Sequence, residues 1–540
     1  MTAPPTLPLL GNIHQIPAQQ TYLKAFELKD RNEAYIFCVL IKRFTEWSKK
    51  YGGLYMLHIA HQKTIVISDR RIVKELMEKK QSLTSGRPAA ETLNRMLYDN
   101  DEILLMQASD PQWRTTRKYL HQNFMISMVE KTHMQLINAE AVQMLKDILD
   151  KPESFMQHTK RFANSFMMSI GYGIRTPTVD TKHMVQIGKV MSNTTKLLQP
   201  GGLPPLDIFP FLRYVPQRLL GSWRDKIDET HKELNDLHLG HLDLVLERRA
   251  RKGRVECFAD RLIEQQKSLE LNRHQQAFMI GILIEAGSDT TSSAMNAVFN
   301  LITAHQKWAH AAQREIDSVV GEGRSPEFSD FGKLPIVSAI VKETLRLRPI
   351  APLGFPHALK EGNALPQLPS ICCFFLTTAD VWIDGKLLPK GSDLIVNIYA
   401  IHQDPDAHPN PNEFNPGRYL DKPALSDEYA HASDYRDRDH YAYGIGRRLC
   451  PGIHLAERAL FVTVAKALWA FEFSPKYDSD SVPMHIDITS ETGYDDGVAI
   501  GPLPYPCDIT VRSMARRETI LAEFARAQTS VFPLFSVPEE

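Results

Sequence analysis

The longest apolar run of the chain, FMIGILIEAGSDTTSSAMNAVFNLI at 278–302, contains Glu285 and Asp289. A membrane-spanning helix needs about 20 mainly apolar residues, and two acids within the run argue against one. It reads instead as a helix buried in protein and carrying functional polar groups. Helical periodicity dominates from about residue 110 to 350. The expected fold is mainly α with small β-sheets, in one large domain spanning 1–540. With 540 residues and 43% apolar content, a sizeable buried core is available.

Around this helical body the pattern changes. Residues 54–68 (LYMLHIAHQKTIVIS) and the closing GPLPYPCDITVRS alternate like strands. Residues 381–405 suggest a hairpin turning at Asp384-Gly385. Residues 224–250 are charged and amphipathic, as in an exposed helix. A loop-rich segment follows at 403–448, then a helix from about 453 to 470. Net charge is −1, which argues against nucleic acid as a partner. Six cysteines without paired spacing do not make a disulfide framework and favour a reducing compartment. The N-terminus MTAPPTLPLLGN has neither the basic nor the apolar region of a signal peptide.

The strongest chemical signal is YAYGIGRRLCPGIHLAERA at 441–459. Cys450 ends a loop rich in glycine and arginine, just before a helix. Pro451 and Gly452 fix the turn after it. Helix N–H groups and the nearby Arg447 and Arg448 are expected to favour the thiolate. Gly444 and Gly446 would let a bulky planar group approach the backbone. A lone buried cysteine at a helix start is usually inert; the flanking glycines and arginines reverse that reading.

With these residues in view, the chain resembles the haem-thiolate monooxygenases, the cytochrome P-450 family. Tyr443, Gly446, Arg448, Cys450 and Gly452 match the family's haem loop, with Tyr443 where phenylalanine is usual. The tyrosine adds a hydroxyl that needs a partner. In KETLRLRP (342–349), Glu343 and Arg346 share a helix face. The resemblance implies that they are buried and joined by Arg418 of FNPGRYL, locking the haem-proximal loop. In EAGSDTTSS (285–293), Gly287 would open space for dioxygen, and Asp289 and Thr290 resemble the family's acid–alcohol pair for proton delivery. The bland reading of Thr290 is a bond to a carbonyl of its own helix. Trp113 and Arg117, at i and i+4 in DPQWRTTRKYLH, are assigned to a haem propionate. Arg448 and His440 are further candidates on the opposite side.

The resemblance implies haem b with Cys450 as axial iron ligand, below a long central helix. It also implies O2 and a small hydrophobic substrate, with electrons from a separate NADPH-dependent flavoprotein reductase. A monomer is expected, cytosol-facing and associated with the endoplasmic reticulum. LPLLGNIHQIP, VPQRLLGSW and AIHQDPDAHPNPNEFNP look most like fungal microsomal members that tailor secondary metabolites. Alternatives are a haem-thiolate peroxygenase or isomerase without reductase, a haem-binding non-enzyme, and a non-functional product of a faulty gene model. The family's N-terminal membrane anchor is missing from the chain as written. Two segments, 25–43 and 362–379, interrupt the family register and close it cleanly when deleted. Both are expected to be unspliced intron sequence, real surface loops being the alternative. Cys38, Cys372 and Cys373 lie within them, and the resemblance implies that the reactive cysteine is Cys450.

Overall fold

The run at 278–302 lies inside a 32-residue helix, Arg273–Ala304, here the central helix. Its start is set by a capping box. The Asn272 side chain accepts the Gln275 N–H at 2.8 Å, and the Gln275 side chain accepts the Asn272 N–H at 3.1 Å. Most of its length is buried, so its polar residues need partners. Asn296 accepts the Thr159 hydroxyl at 2.9 Å, and Asn300 accepts the Tyr494 hydroxyl at 3.1 Å. The helix Phe155–Tyr172 packs along it. Helices Met134–Asp150, Pro335–Leu347 and Ile453–Ala470 complete one large apolar core. Each fully buried leucine, isoleucine or phenylalanine there contributes roughly 1.5–3 kcal/mol. In this computed structural model the residues described are all except 2, 8–10, 13–14, 16–35, 89, 200, 360–380, 490–491, 496–498 and 536–540, with 36–38 described by backbone alone.

The strands are β1 (Leu54–Ile59), β2 (Gln62–Ile67), β3 (His357–Ala358), β4 (Val381–Ile383), β5 (Lys386–Leu388), β6 (Asp393–Val396), β7 (Phe471–Pro475) and β8 (Cys507–Val511). The main sheet has the order β1-β2-β6-β3, with β2 and β6 parallel. β2 is an inner strand and both its faces are covered. Ile65 and Ile67 join one apolar cluster with Leu54, while Val66 joins another with Tyr55 and Leu57. The β4–β5 hairpin turns at Asp384 and Gly385, both at positive φ (49° and 68°), as a type I′ turn requires. The charged segment 224–250 is the helix Trp223–Lys252. It is less exposed than its sequence suggests, because Ile227, Leu234, Leu242, His238 and His241 are buried along one side.

Residues 25–35 and the whole of 362–379, with Cys372 and Cys373, lie outside the described residues. The far end of segment 25–43 belongs to the helix Ile36–Tyr51, where Leu40 and Ile41 are buried with Phe44, Trp47 and Tyr55. Deleting 25–43 would set Thr21 and Tyr22 of the sequence in their places. Among the described residues no helix is long and apolar enough to cross a membrane.

The core holds seven strongly shifted histidines. Burial lowers His133, His183 and His440 to about 4, His241, His357 and His408 to about 3, and His402 well below its ordinary value. The unfolded chain protonates histidine near pH 6.5. Between that value and the folded ones, the unfolded state binds more protons, so stability falls as pH falls. Three buried carboxyls oppose this: Glu102 is pushed up to about 8, Glu457 to about 7 and Asp393 to about 6. The histidine shifts outnumber the carboxyl shifts, so the net effect near pH 5 is a loss of stability as pH falls. The urea midpoint is therefore expected to drop steeply from pH 6.5 to pH 5. A midpoint unchanged over that interval would show that these histidines are not held neutral.

Candidate functional site

The loop 441–452 is wound tightly by its own backbone. The Gly444 N–H donates to Tyr441 C=O at 3.0 Å, Leu449 to Gly446 at 3.0 Å and Cys450 to Tyr443 at 2.8 Å. Cys450 is a free, partly exposed thiol at the foot of the helix Ile453–Ala470. Burial pushes this thiol up, the Gly452 amide and Arg117 oppose that, and Glu457 adds to it. The cation acting on the sulfur is thus Arg117. Arg447 points to solvent and Arg448 is engaged elsewhere, so neither plays the part expected from sequence.

Gly446 also differs from expectation. Gly446 has φ +58°, and a Cβ there would lie 2.2 Å from the Met77 carbonyl oxygen. Its missing side chain makes room for protein backbone, not for a planar cofactor. A Cβ on Gly452 would reach Cys450 Sγ at 3.9 Å, an ordinary contact. The Tyr443 hydroxyl is buried and has no hydrogen-bond partner among the described residues.

Behind the loop, Glu343 and Arg346 are both fully buried and paired twice, at 2.7 and 2.8 Å. Arg418 approaches the same carboxylate at 3.4 Å, and the Asn415 N–H donates to it at 2.9 Å. Arg346 also donates to the carbonyls of His402 (2.8 Å) and Glu413 (3.3 Å). His402 then connects this group to the cysteine loop. Its Nδ1–H donates to Arg346 C=O at 2.9 Å, and its Nε2 accepts the Tyr441 N–H at 2.8 Å. Arg438 adds a second tie, donating to Gly444 C=O at 2.6 Å and His440 C=O at 3.1 Å. Sequence reasoning missed both residues. A histidine in a loop and one arginine among many carry no spacing signal.

On another edge of the loop lies a group of cations, Arg87 buried and Arg117 and Arg448 half-buried. The Arg448 guanidinium stacks 4.5 Å from the Trp113 ring centroid and donates to carbonyls of Ser85 (3.2 Å) and Ile103 (3.3 Å). Arg117 donates to Leu449 C=O. Arg87 donates to Leu104, Phe355 and Pro356 carbonyls. Burial lowers Arg87 to about 10, with Arg117 adding to this, and lowers Arg448 to about 9, with Arg87 and Arg117 adding. None of the three pairs with a carboxylate among the described residues. One buried and two half-buried guanidiniums without an anion are unfavourable, and a group bearing carboxylates would relieve them. That donor set fits haem propionates. Arg448 therefore sits with Trp113 and Arg117 rather than opposite them. His440 leaves the set: its ring nitrogens meet the Ser426 hydroxyl at 3.1 Å and the Ala442 N–H at 3.3 Å, in a closed interior. Arg87 was missed because a single arginine in SGRPAA gives no sign of burial.

Within the central helix, Ala286 and Thr290 lie one turn apart and are both exposed, while Glu285, Gly287 and Asp289 are half-buried and Ser288 and Thr291 buried. The Thr290 hydroxyl donates to Ala286 C=O at 2.6 Å, which is the bland bond. It keeps its acceptor capacity. Gly287 does not open space. A Cβ there would fall 2.7 Å from three side-chain atoms of Met167. Burial raises the Asp289 carboxyl; Lys160 opposes this and Glu285 adds to it.

The family model described as Cytochrome P450 matches residues 39–492. A cytochrome P450 monooxygenase of Penicillium terrestre, macC, is 40% identical over 540 residues, covering 99% of this chain and 94% of its own. The cytochrome P450 monooxygenase patH of Aspergillus clavatus is 41% identical over 539 residues, with 99% and 93% covered. A solved zebrafish cytochrome P450 with abiraterone superposes with a TM-score of 0.67 at 22% identity, covering 88% of this chain and 100% of that one, and so shares the fold. With a free cysteine loop, a cation cradle lacking its anion and an end-to-end match to these proteins, the chain belongs to the cytochrome P450 family.

Proposed function

We propose that this chain is a haem-thiolate monooxygenase of fungal secondary metabolism, in which Cys450 would hold the haem iron and Trp113, Arg117, Arg448 and Arg87 would bind the propionates. The observation that carries this is the free Cys450 thiol beside Arg117, with Arg87, Arg117 and Arg448 pairing with no carboxylate among the described residues. When bound, haem supplies the iron that activates dioxygen, and thiolate ligation favours O–O cleavage over simple oxygen binding.

The chain's own residues do the rest. Met106, Ala108 and Trp113 form a small apolar cluster with Ile103 that keeps water from the propionate edge. Thr290 keeps an acceptor for a water, and Asp289, its pKa raised by burial, exchanges protons with it. Glu343, Arg346 and Arg418 hold the cysteine loop through His402 and Tyr441. Electrons come from an NADPH-dependent flavoprotein reductase, and the substrate is small and hydrophobic. The protein acts as a monomer at the cytosolic face of the endoplasmic reticulum. The fungal relatives, each bearing the name monooxygenase, support this reading. We also propose that 25–43 and 362–379 are retained intron sequence. Transcript sequencing tests this, and cDNA containing both segments would refute it.

Two outcomes are expected of the purified full-length chain loaded with haem. Its reduced CO complex shows the red-shifted Soret band of a thiolate ligand, and Cys450→Ser abolishes that band. A wild-type spectrum typical of a histidine or thiol ligand would overturn the assignment. Glu343→Gln leaves a buried Arg346 without its anion, at a cost of about 3–5 kcal/mol. The haem-to-protein ratio after gel filtration is expected to collapse for this variant and to fall less for Arg418→Ala, whose contact is the longer one. A Glu343→Gln protein that retains full haem would remove the locking role.

A further inference from the structure

We infer that Asp99, His274 and Asp101 form a pH-operated clasp that closes the loop 99–110 onto the first turn of the central helix. The loop joins the helices Glu91–Tyr98 and Pro111–Phe124. Its far half is fixed by groups that keep their charge near neutral pH. The Gln107 side chain exchanges two hydrogen bonds with the backbone of Arg87, at 3.0 and 2.9 Å. The Arg87 and Arg448 guanidiniums hold the carbonyls of Leu104 and Ile103. The near half depends on a histidine. His274 Nδ1–H donates to Asp101 Oδ2 at 2.6 Å, and His274 Nε2 stands 3.4 Å from Asp99 Oδ2.

The second of these contacts carries the inference. A neutral imidazole that donates from Nδ1 presents a lone pair at Nε2. Here that lone pair faces a carboxylate oxygen, and Nε2 is itself buried with no hydrogen-bond partner among the described residues. One added proton turns the same geometry into an imidazolium between two acceptors, joined to both by charge-assisted bonds. The ring is already in place, stacked 4.2 Å from the Phe278 ring centroid. The turn that brings both acids to one ring has Asp99 and Asn100 at positive φ (49° and 68°), an uncommon conformation outside glycine. The start of a helix carries about half a positive charge, and two full negative charges on the ring outweigh it.

His231 does not share this role. It lies 3.7 Å from the same Asp99 oxygen. Its Nδ1–H donates to Leu97 C=O at 3.0 Å and its Nε2 accepts an Asn235 N–H at 3.0 Å, so it is satisfied as a neutral ring. The other charged groups around His274 are already engaged. Arg273 pairs with Asp243, Arg95 with Glu91 and Glu285 with His238. Glu102, next to Asp101, accepts the Leu104 N–H at 2.9 Å. The helix Pro111–Phe124 contributes the neutral Gln112, which donates to Asp101 Oδ1 at 3.2 Å and accepts from Gln275 at 2.8 Å. Histidine changes charge between pH 5 and 8, so the clasp tightens as pH falls. The global loss of stability in acid has the opposite sign, which keeps the two effects separable.

The test follows amide hydrogen exchange of the full-length chain by mass spectrometry at pH 6 and pH 8, corrected for intrinsic exchange rates. Protection of residues 99–106 is expected to be about tenfold greater at pH 6, from one gained charge-assisted bond. His274→Gln keeps a donor for Asp101 but cannot charge, and is expected to remove the difference. His231→Gln is expected to retain it. Peptides from the helix Ile453–Ala470 report the folding of each variant and are expected to exchange alike in all of them. Equal protection at both pH values in wild type, or a difference that survives His274→Gln, overturns the clasp. A consequence rests on the haem reading. Ile103 and Met106 of this loop border the propionate edge, so CO is expected to reach the reduced haem-loaded protein several-fold more slowly at pH 6 than at pH 8. A CO rate indifferent to pH overturns this gating of the site, whereas a missing thiolate Soret band overturns the haem reading and leaves the exchange result to decide the clasp.

Discussion

The buried ion pair of Glu343 and Arg346 is the interaction on which the site rests. Both side chains are fully buried. Taking two charges out of water is repaid only if every remaining lone pair and N–H finds a partner. Those partners are the carbonyls of His402 and Glu413, the Asn415 N–H and Arg418. Satisfying the pair therefore fixes 402 and 413–418 against the helix Pro335–Leu347. Because His402 also accepts the Tyr441 N–H, the demand of one ion pair is passed on to the loop that presents Cys450. A neutral His402 is essential to this. Its Nε2 can accept only without a proton, and burial holds its pKa far below that of a free histidine.

How far sequence could see into this arrangement depended on the kind of constraint. Elements set by local chemistry were legible. The Asp384-Gly385 turn follows from residues that tolerate positive φ, and the helix Ile453–Ala470 from its apolar run after Pro451-Gly452. Juxtapositions set by tertiary packing were not. Gly287 and Gly446 both looked like room for a ligand, yet Met167 and the Met77 carbonyl take that room. A glycine announces that something comes close, not what. Arg448 and His440 lie eight positions apart in one loop and go to different sides of it. Their directions depend on Trp113 and Ser426, which sequence proximity does not reveal.

The cation cradle gathers like charges with fewer partners than they can use. Arg117 lowers Arg87, and Arg87 and Arg117 lower Arg448. Interiors tolerate such frustration at sites whose missing partner arrives from outside.

The contact of Gly446 with the Met77 carbonyl joins residues 369 positions apart. Arg448 likewise reaches back to Ser85, Ile103 and Met106. On the ribosome, the first of these surfaces emerges long before the loop that completes it, and such non-local contacts form late. Until the last fifth of the chain is made, the early cations have no cysteine beneath them and the nascent protein has no complete cofactor site. Haem capture is thereby a step that follows synthesis, and premature termination anywhere before Cys450 yields a protein that cannot hold iron by this loop.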